Sequence, residues 1–182
     1  MSSVERQGAN WRSVPHPAGT IFVLRSGGWM SALIRAATRS RVNHAGVCLG
    51  DGRTVEAQAK GAVVKREQDN DRVIYGVGLY AHINSLDPYA NTHIADEALR
   101  LVGTPYGFTD IAALGLADLG LRWKWLERKV DKEHALICSQ LVDQACVNAG
   151  VRLFADGRMP GRVDPGDLEW TIADGGQGVT VG

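Results

Sequence analysis

The stretch "HAGVCLGDGRTVEAQ", from His44 to Gln58, predicts a β-hairpin. Two short runs with strand-forming residues flank the turn sequence Gly50-Asp51-Gly52. If the loop has three residues and a glycine takes its left-handed position, Leu49 pairs with Arg53. The length of this loop sets the register of the whole hairpin, and with it the face on which each side chain lies.

The three-residue loop places Glu56 opposite Gly46 and diagonal to His44 on the same face of the hairpin. Diagonal neighbours are about 7 Å apart at the backbone, within reach of long side chains, and Gly46 leaves room between them. A two-residue loop would turn Glu56 to the opposite face. The hairpin therefore predicts a carboxylate–imidazole pair that depends on one loop geometry.

Cys138 stands where the apolar run "ALIC" meets a helical pattern over Ser139–Ala149. The unpaired backbone N–H groups and the positive dipole end at such a helix start favour a thiolate, and they can also bind an oxyanion. Cys146, on the apolar face of this helix, and Cys48, in the middle of a strand, are expected to be packing residues. Cys138 is thus the candidate nucleophile, and it requires a base.

Composition excludes several classes of protein. The chain has 182 residues, enough for one domain with a core, and 20 basic and 20 acidic residues give no net charge. Nucleic acid is therefore not expected as a partner. No run reaches the roughly 20 apolar residues of a membrane span, and the polar N-terminus predicts synthesis in the cytoplasm without a signal peptide. Three widely spaced cysteines predict neither a disulfide framework nor a metal site.

The remaining patterns predict an α+β domain with an antiparallel sheet of about five strands packed against helices. Residues 1–18 are expected to form a flexible arm, residues 19–170 a single domain, and residues 171–182 an irregular tail. The further strands are expected in "TIFVLR", "AVVKRE" and "RVIYGVGLY", and the further helices over Trp29–Thr38, Thr92–Val102 and two interrupted segments within Thr109–Lys132.

Several of these stretches resemble a known family. "NHAGVCLGDGRTVEA" resembles the histidine strand, turn and polar-residue strand of NlpC-like papain-fold cysteine hydrolases, and "LICSQLVDQA" resembles their nucleophile helix. The order His44, Glu56, Cys138 is similar to that of the circularly permuted branch, which includes YiiX/YebB-like proteins and relatives of lecithin–retinol acyltransferase. The resemblance covers roughly residues 17–170 and implies a permuted papain-like fold with the nucleophile at a helix N-terminus.

Carried over by residue, the resemblance implies that Cys138 is the nucleophile, His44 the general base and acid, and Glu56 the group that orients the imidazole. Tyr106, in "ALRLVGTPYGFTD", is expected to line the substrate site near the thiol. The chain departs from the family at Thr20, where an aspartate is common, and in a middle segment rich in leucine, glycine and tryptophan.

The expected activity is acyl transfer to water without a metal or an organic cofactor. The first expectation is an amidase or endopeptidase acting on cell-wall peptides such as those of peptidoglycan. The second is a lipid-directed acyltransferase or thioesterase, favoured if Leu114–Leu126 forms an apolar groove beside Cys138. The third is a phage-tail or other structural module with virion assembly partners, which predicts that Cys138 is sealed from solvent. With the first and third expectations, the protein is expected to be associated with a virion or delivered to the cell wall.

Overall fold

The computed structural model describes residues 15–25, 27, 32, 35, 40–58, 61–69, 79–81, 88–104, 138–173 and 179–181. In these residues the protein is α+β, as predicted. The strands are β1 Ile21–Leu24, β2 His44–Cys48, β3 Arg53–Gln58, β4 Gly61–Arg66, β5 Leu79–Ala81, β6 Val151–Arg152 and β7 Thr180–Val181; the α-helices are α1 Pro88–Arg100, α2 Cys138–Asn148 and α3 Pro165–Ala173; two 3-10 turns cover Glu67–Asp69 and Pro160–Arg162.

The main sheet has five strands in the order β4-β3-β2-β1-β5, and each neighbouring pair is antiparallel. The predicted sheet of about five strands is confirmed among the described residues. β6 and β7 form a separate two-stranded ribbon. The predicted irregular tail therefore contains two ordered pieces, the last turn of α3 and strand β7.

One face of the main sheet forms the hydrophobic core with the helices. Alternate strand residues such as Val23, Val47 and Val55 are fully buried there against Ile94 of α1 and Leu141 of α2. The opposite face carries the buried Glu56 carboxylate. Directly paired residues share a face, so the pairings of Phe22 with Gly46 and of Gly46 with Glu56 put these residues on it.

Helix α1 begins four residues before the start predicted at Thr92. Its first residue is Pro88, whose fixed φ and missing N–H suit the first position of a helix. Ile94 and Ala98 of this helix are buried, but Val102, the predicted last residue, lies beyond the helix and is exposed. The helix stops before Gly103, which has a φ of 88° that favours glycine.

Helix α2 begins at Cys138 and ends at Asn148, within one residue of the prediction at each end. Its buried face includes Leu141, Val142 and Ala145. The Ser139 hydroxyl donates a 2.7 Å hydrogen bond to the Val163 carbonyl, which anchors the start of the helix. Ser139 therefore has a structural contact that accounts for its burial.

The predicted helix over Trp29–Thr38 is described only at Ala32 and Arg35, both in helical backbone. The predicted helical segments within Thr109–Lys132 lie outside the described residues. Among the helices that the structure describes, none combines the length and apolar character needed to cross a bilayer.

Candidate functional site

The β2–β3 hairpin brings His44 and Glu56 together. Leu49 N donates to Arg53 O at 2.8 Å, which closes the predicted three-residue loop, and Gly46 pairs with Glu56. Across the resulting diagonal, His44 Nε2 lies 2.8 Å from Glu56 Oε2. The predicted register and the predicted contact are both confirmed.

The loop holds this register through its two glycines. Gly50 and Gly52 have φ values of 88° and 81°, in the left-handed region that other residues seldom adopt. Between them, Asp51 accepts hydrogen bonds from Arg53 N at 3.1 Å and Arg53 Nε at 2.8 Å. The turn chemistry therefore fixes the loop length on which the meeting of His44 and Glu56 depends.

The Glu56 carboxylate is fully buried and has three polar neighbours. Besides its contact with His44, it accepts a 2.7 Å hydrogen bond from Thr54 Oγ1, and Lys65 Nζ lies 3.6 Å from Oε2. A buried carboxylate requires such partners because its desolvation is costly. These contacts hold Glu56 in one position and leave Oε2 directed at the imidazole.

Burial and these contacts act in opposite directions on the pKa of Glu56. Desolvation by burial raises the pKa, but the hydrogen bonds from His44 and Thr54 and the charges of His44 and Lys65 lower it to about 2. Glu56 is therefore an anion throughout the neutral range, as a group that stabilises an imidazolium must be.

The His44 ring is held between two partners. Burial lowers its pKa, but interactions with the Cys138 side chain and with the Glu56 carboxylate outweigh burial and raise the pKa to about 10. Because Glu56 occupies Nε2, the ring nitrogen left to exchange a proton with the thiol is Nδ1. This arrangement favours the imidazolium, the protonated partner that a cysteine–histidine pair needs.

Cys138 is the first residue of α2, one residue before the predicted start of the helix at Ser139. Its sulfur lies 3.9 Å from the carbonyl oxygen of Asn43, the residue immediately before His44. The thiol thus sits beside the start of β2, where the unpaired N–H groups of a helix N-terminus are available. Cys138 itself is 3% exposed, whereas 20% of the His44 side chain is exposed.

Cys48 and Cys146 are fully buried, and burial is the main reason that the pKa of each thiol is raised. For Cys48, the carboxylates of Glu67 and Glu56 raise it further. A thiol that resists ionisation is a poor nucleophile. Cys138 is the cysteine whose side chain interacts with the His44 imidazole.

Tyr106, the predicted substrate-binding residue, and the Leu114–Leu126 segment lie outside the described residues. The structure therefore brings together three of the four predicted site residues.

Three residues of the site were missed by sequence reasoning. The Phe22 ring makes an edge-to-face contact with the His44 ring, and the ring centroids are 6.4 Å apart. Thr54 and Lys65 contact Glu56. The hairpin alternation could have identified Thr54, since it shares a face with Glu56 two residues later, but Phe22 and Lys65 depend on the registers of β1 and β4.

Three potential metal ligands lie close together on the face of the main sheet that carries Glu56. One side-chain donor atom from each of His16, Cys48 and Glu67 lies within 4.8 Å of the other two. His16 belongs to the predicted N-terminal arm, of which the structure describes residues 15–18. No sequence motif joins these three residues, since they come from separate segments.

Comparison with known structures finds similarity to the crystal structure of the metalloprotein YiiX from Escherichia coli O157:H7. The TM-score is 0.53 at 20% sequence identity, over 74% of this chain and 67% of that chain. The protein therefore has a YiiX-like fold. No protein-family model and no curated protein matches the chain.

Proposed function

We propose that this protein is a cysteine hydrolase that cleaves amide bonds with Cys138, His44 and Glu56. The observation that carries the proposal is the position of the His44 imidazole between the Glu56 carboxylate, at 2.8 Å, and the Cys138 side chain. A nucleophile, a base and a group that orients the base form the recurring arrangement of covalent acyl transfer.

The roles follow from the contacts. Glu56 accepts a hydrogen bond from the Nε2–H group and stabilises the charge of the ring, so that Nδ1 takes the proton of the Cys138 thiol. The thiolate attacks the amide carbonyl, and a carbon–sulfur bond forms while the oxygen becomes an oxyanion. Backbone N–H groups at the start of α2 are the expected donors to that oxyanion.

The intermediate then collapses. His44 gives its Nδ1 proton to the departing amine as the carbon–nitrogen bond breaks, which leaves a thioester on Cys138. Water attacks the thioester, His44 removes a proton from that water, and the proton returns to the sulfur as the carboxylic acid leaves. The cycle consumes one water and needs no other reactant.

We further propose peptide amides of the bacterial cell wall as the substrate class, with delivery to the wall or association with a virion. The support is the resemblance of the His44 hairpin and the Cys138 helix to NlpC-like hydrolases, together with the YiiX-like fold. The proposal includes a permuted papain-like topology for the five-stranded sheet.

A second candidate function is a structural module that retains the fold without turnover. The burial of Cys138, only 3% exposed, favours it, because a noncatalytic thiol needs no path to solvent. The two candidates differ in one measurable property, the reactivity of the Cys138 thiol in the folded protein.

The test is brief labelling of the native protein with an iodoacetamide probe across pH, followed by mapping of the labelled cysteines. A hydrolase predicts that Cys138 reacts first and that Cys48 and Cys146 react only after denaturation. Cys138→Ala should abolish both labelling and release of peptides from peptidoglycan fragments, while Cys146→Ala, a change in the same helix, should preserve labelling at Cys138. If Cys138 reacts only on denaturation, as Cys146 does, the structural module is correct.

A further inference from the structure

The His16, Cys48 and Glu67 cluster lies apart from the Cys138 centre. Cys48 is the last residue of β2, Glu67 follows β4, and His16 comes from the segment before β1. Cys48 pairs with Thr54, the residue that donates to Glu56. The cluster is thus a neighbour of the proposed catalytic hairpin but shares no residue with the proposed triad.

The three side chains converge in a largely buried place. Cys48 is fully buried and Glu67 is 6% exposed, while 11% of the His16 side chain is exposed. His16 Nδ1 contacts Glu67 Oε1, and the donor atoms of all three residues lie within 4.8 Å of one another. Donor atoms bound to one tetrahedral ion are about 3.5 Å apart, so small side-chain movements suffice to form such a site.

Hydrogen bonds hold the backbone segments that carry these three side chains. Gly19 N donates to Cys48 O at 2.9 Å, which ties the N-terminal segment to β2. Glu67 N donates to Gly52 O at 2.8 Å, and His16 N donates to Glu67 Oε2 at 3.3 Å. Prolines on both sides of His16 restrict its segment further. The donor groups are therefore positioned before any ligand arrives.

The chemical types of these three ligand groups determine which metal ions the cluster could bind. A thiolate, an imidazole and a carboxylate suit Zn²⁺ and its first-row neighbours, whereas Ca²⁺ and Mg²⁺ require oxygen ligands. A divalent cation would also compensate the buried negative charge of Glu67 and of a Cys48 thiolate.

We propose that His16, Cys48 and Glu67 form a binding site for a divalent transition-metal ion of the Zn²⁺ type. The ion would join the N-terminal segment to the ends of β2 and β4, and so brace the hairpin that carries His44 and Glu56. Its role is structural, and it is independent of the proposed hydrolysis at Cys138.

The test uses the full chain, stripped of metal and then titrated with Zn²⁺ or with Co²⁺. We expect one ion per chain by elemental analysis, a sulfur-to-cobalt charge-transfer band in the Co²⁺ form, and a higher unfolding temperature with metal. His16→Asn should weaken Zn²⁺ binding at least about 100-fold, since even loss of an outer-shell partner costs 10- to 100-fold. Cys48→Ala should remove the charge-transfer band.

Cys146→Ala is the matched control, because Cys146 is also fully buried and has no place in the cluster. It should retain the ion and the charge-transfer band. Because Cys48→Ala alters the core, His16→Asn, in the segment before β1, keeps the test valid if Cys48→Ala fails to fold. The absence of stoichiometric binding by the native chain, or binding that His16→Asn leaves unchanged, would overturn the proposal. Neither result bears on Cys138 labelling.

Discussion

His44 Nε2 and Glu56 Oε2 lie 2.8 Å apart across the diagonal of the β2–β3 hairpin, although the two residues are separated by 12 positions in the chain. The carboxylate is buried and the imidazole is partly exposed. The contact leaves Nδ1 of the ring for the thiol of Cys138. One hairpin thus fixes the orientation of the proposed base.

Replacement of Glu56 by Gln should slow hydrolysis by roughly 100-fold or more, because the amide cannot stabilise the imidazolium that forms during proton transfer. The second-order rate of iodoacetamide labelling at Cys138 should fall as well. Circular dichroism should show an unchanged hairpin. An unaltered labelling rate in a folded Glu56→Gln variant would remove Glu56 from the proposed triad.

Thr54→Val should lower the free energy of unfolding by about 1–3 kcal/mol, since it leaves one buried carboxylate oxygen of Glu56 without its donor. Urea unfolding at pH 7 measures this change. Thr171→Val is the matched control, because the Thr171 hydroxyl donates to the Asp167 carbonyl of its own helix. Equal effects of the two substitutions would show that the Thr54 hydroxyl has no special role.

Much of this site could be predicted from local sequence. The loop Gly50-Asp51-Gly52 sets the hairpin register, and the alternation of strand side chains then places Glu56 beside His44. The apolar run before Cys138 and the helical pattern after it likewise locate the start of α2. These predictions succeed because each depends on residues that are near one another in the chain.

The rest depends on tertiary contacts that local patterns do not specify. His16 and Glu67 are 51 positions apart, and only the docking of the N-terminal segment brings them to Cys48. The space predicted beside Gly46 contains the Phe22 ring, which requires the register of β1 against β2.

The acid stability of the protein should depend on Glu56. Its pKa falls from 4.5 in the unfolded chain to about 2 in the folded protein, so it stabilises the fold above pH 4.5. That contribution, on the order of 3 kcal/mol, is lost as the pH falls through about 2. Urea unfolding of wild type and Glu56→Gln between pH 2 and 6 should therefore converge in acid; parallel curves would contradict the assignment.

The stability of the protein at alkaline pH should depend on His44. Its pKa rises from 6.5 to about 10 in the folded protein, so its contribution to stability is complete below pH 6.5 and is lost as the pH rises through about 10. The wild type should lose stability over this range more steeply than His44→Gln does. The same urea series, extended to pH 10.5, measures the difference; equal slopes would show that the His44 charge is not stabilised by folding.

Asp143→Asn should stabilise the protein at alkaline pH. Asp143 is buried in α2, its Oδ2 has no hydrogen-bond partner, and burial raises its pKa to about 6 despite the opposing charges of Arg152 and Arg158. Ionisation therefore opposes folding, and the protein loses stability as the pH rises from 3.8 through about 6. We expect a gain of about 1–2 kcal/mol at pH 8 that disappears near pH 3.5, where the group is protonated in both states. Asp96→Asn, on the exposed face of α1, should change stability little at either pH.

Gly46→Ala should destabilise the protein by about 1–3 kcal/mol through overpacking. A Cβ atom at Gly46 would lie 2.5 Å from Phe22 Cζ and 2.7 Å from Val55 O, closer than van der Waals contact allows. Because the same Phe22 ring faces His44, its displacement should also slow labelling of Cys138. Phe22→Leu shortens the obstructing side chain, so the double variant should be less destabilised than the sum of the single variants predicts. Strict additivity in urea unfolding would mean that the Val55 carbonyl, rather than the Phe22 ring, excludes a side chain at position 46.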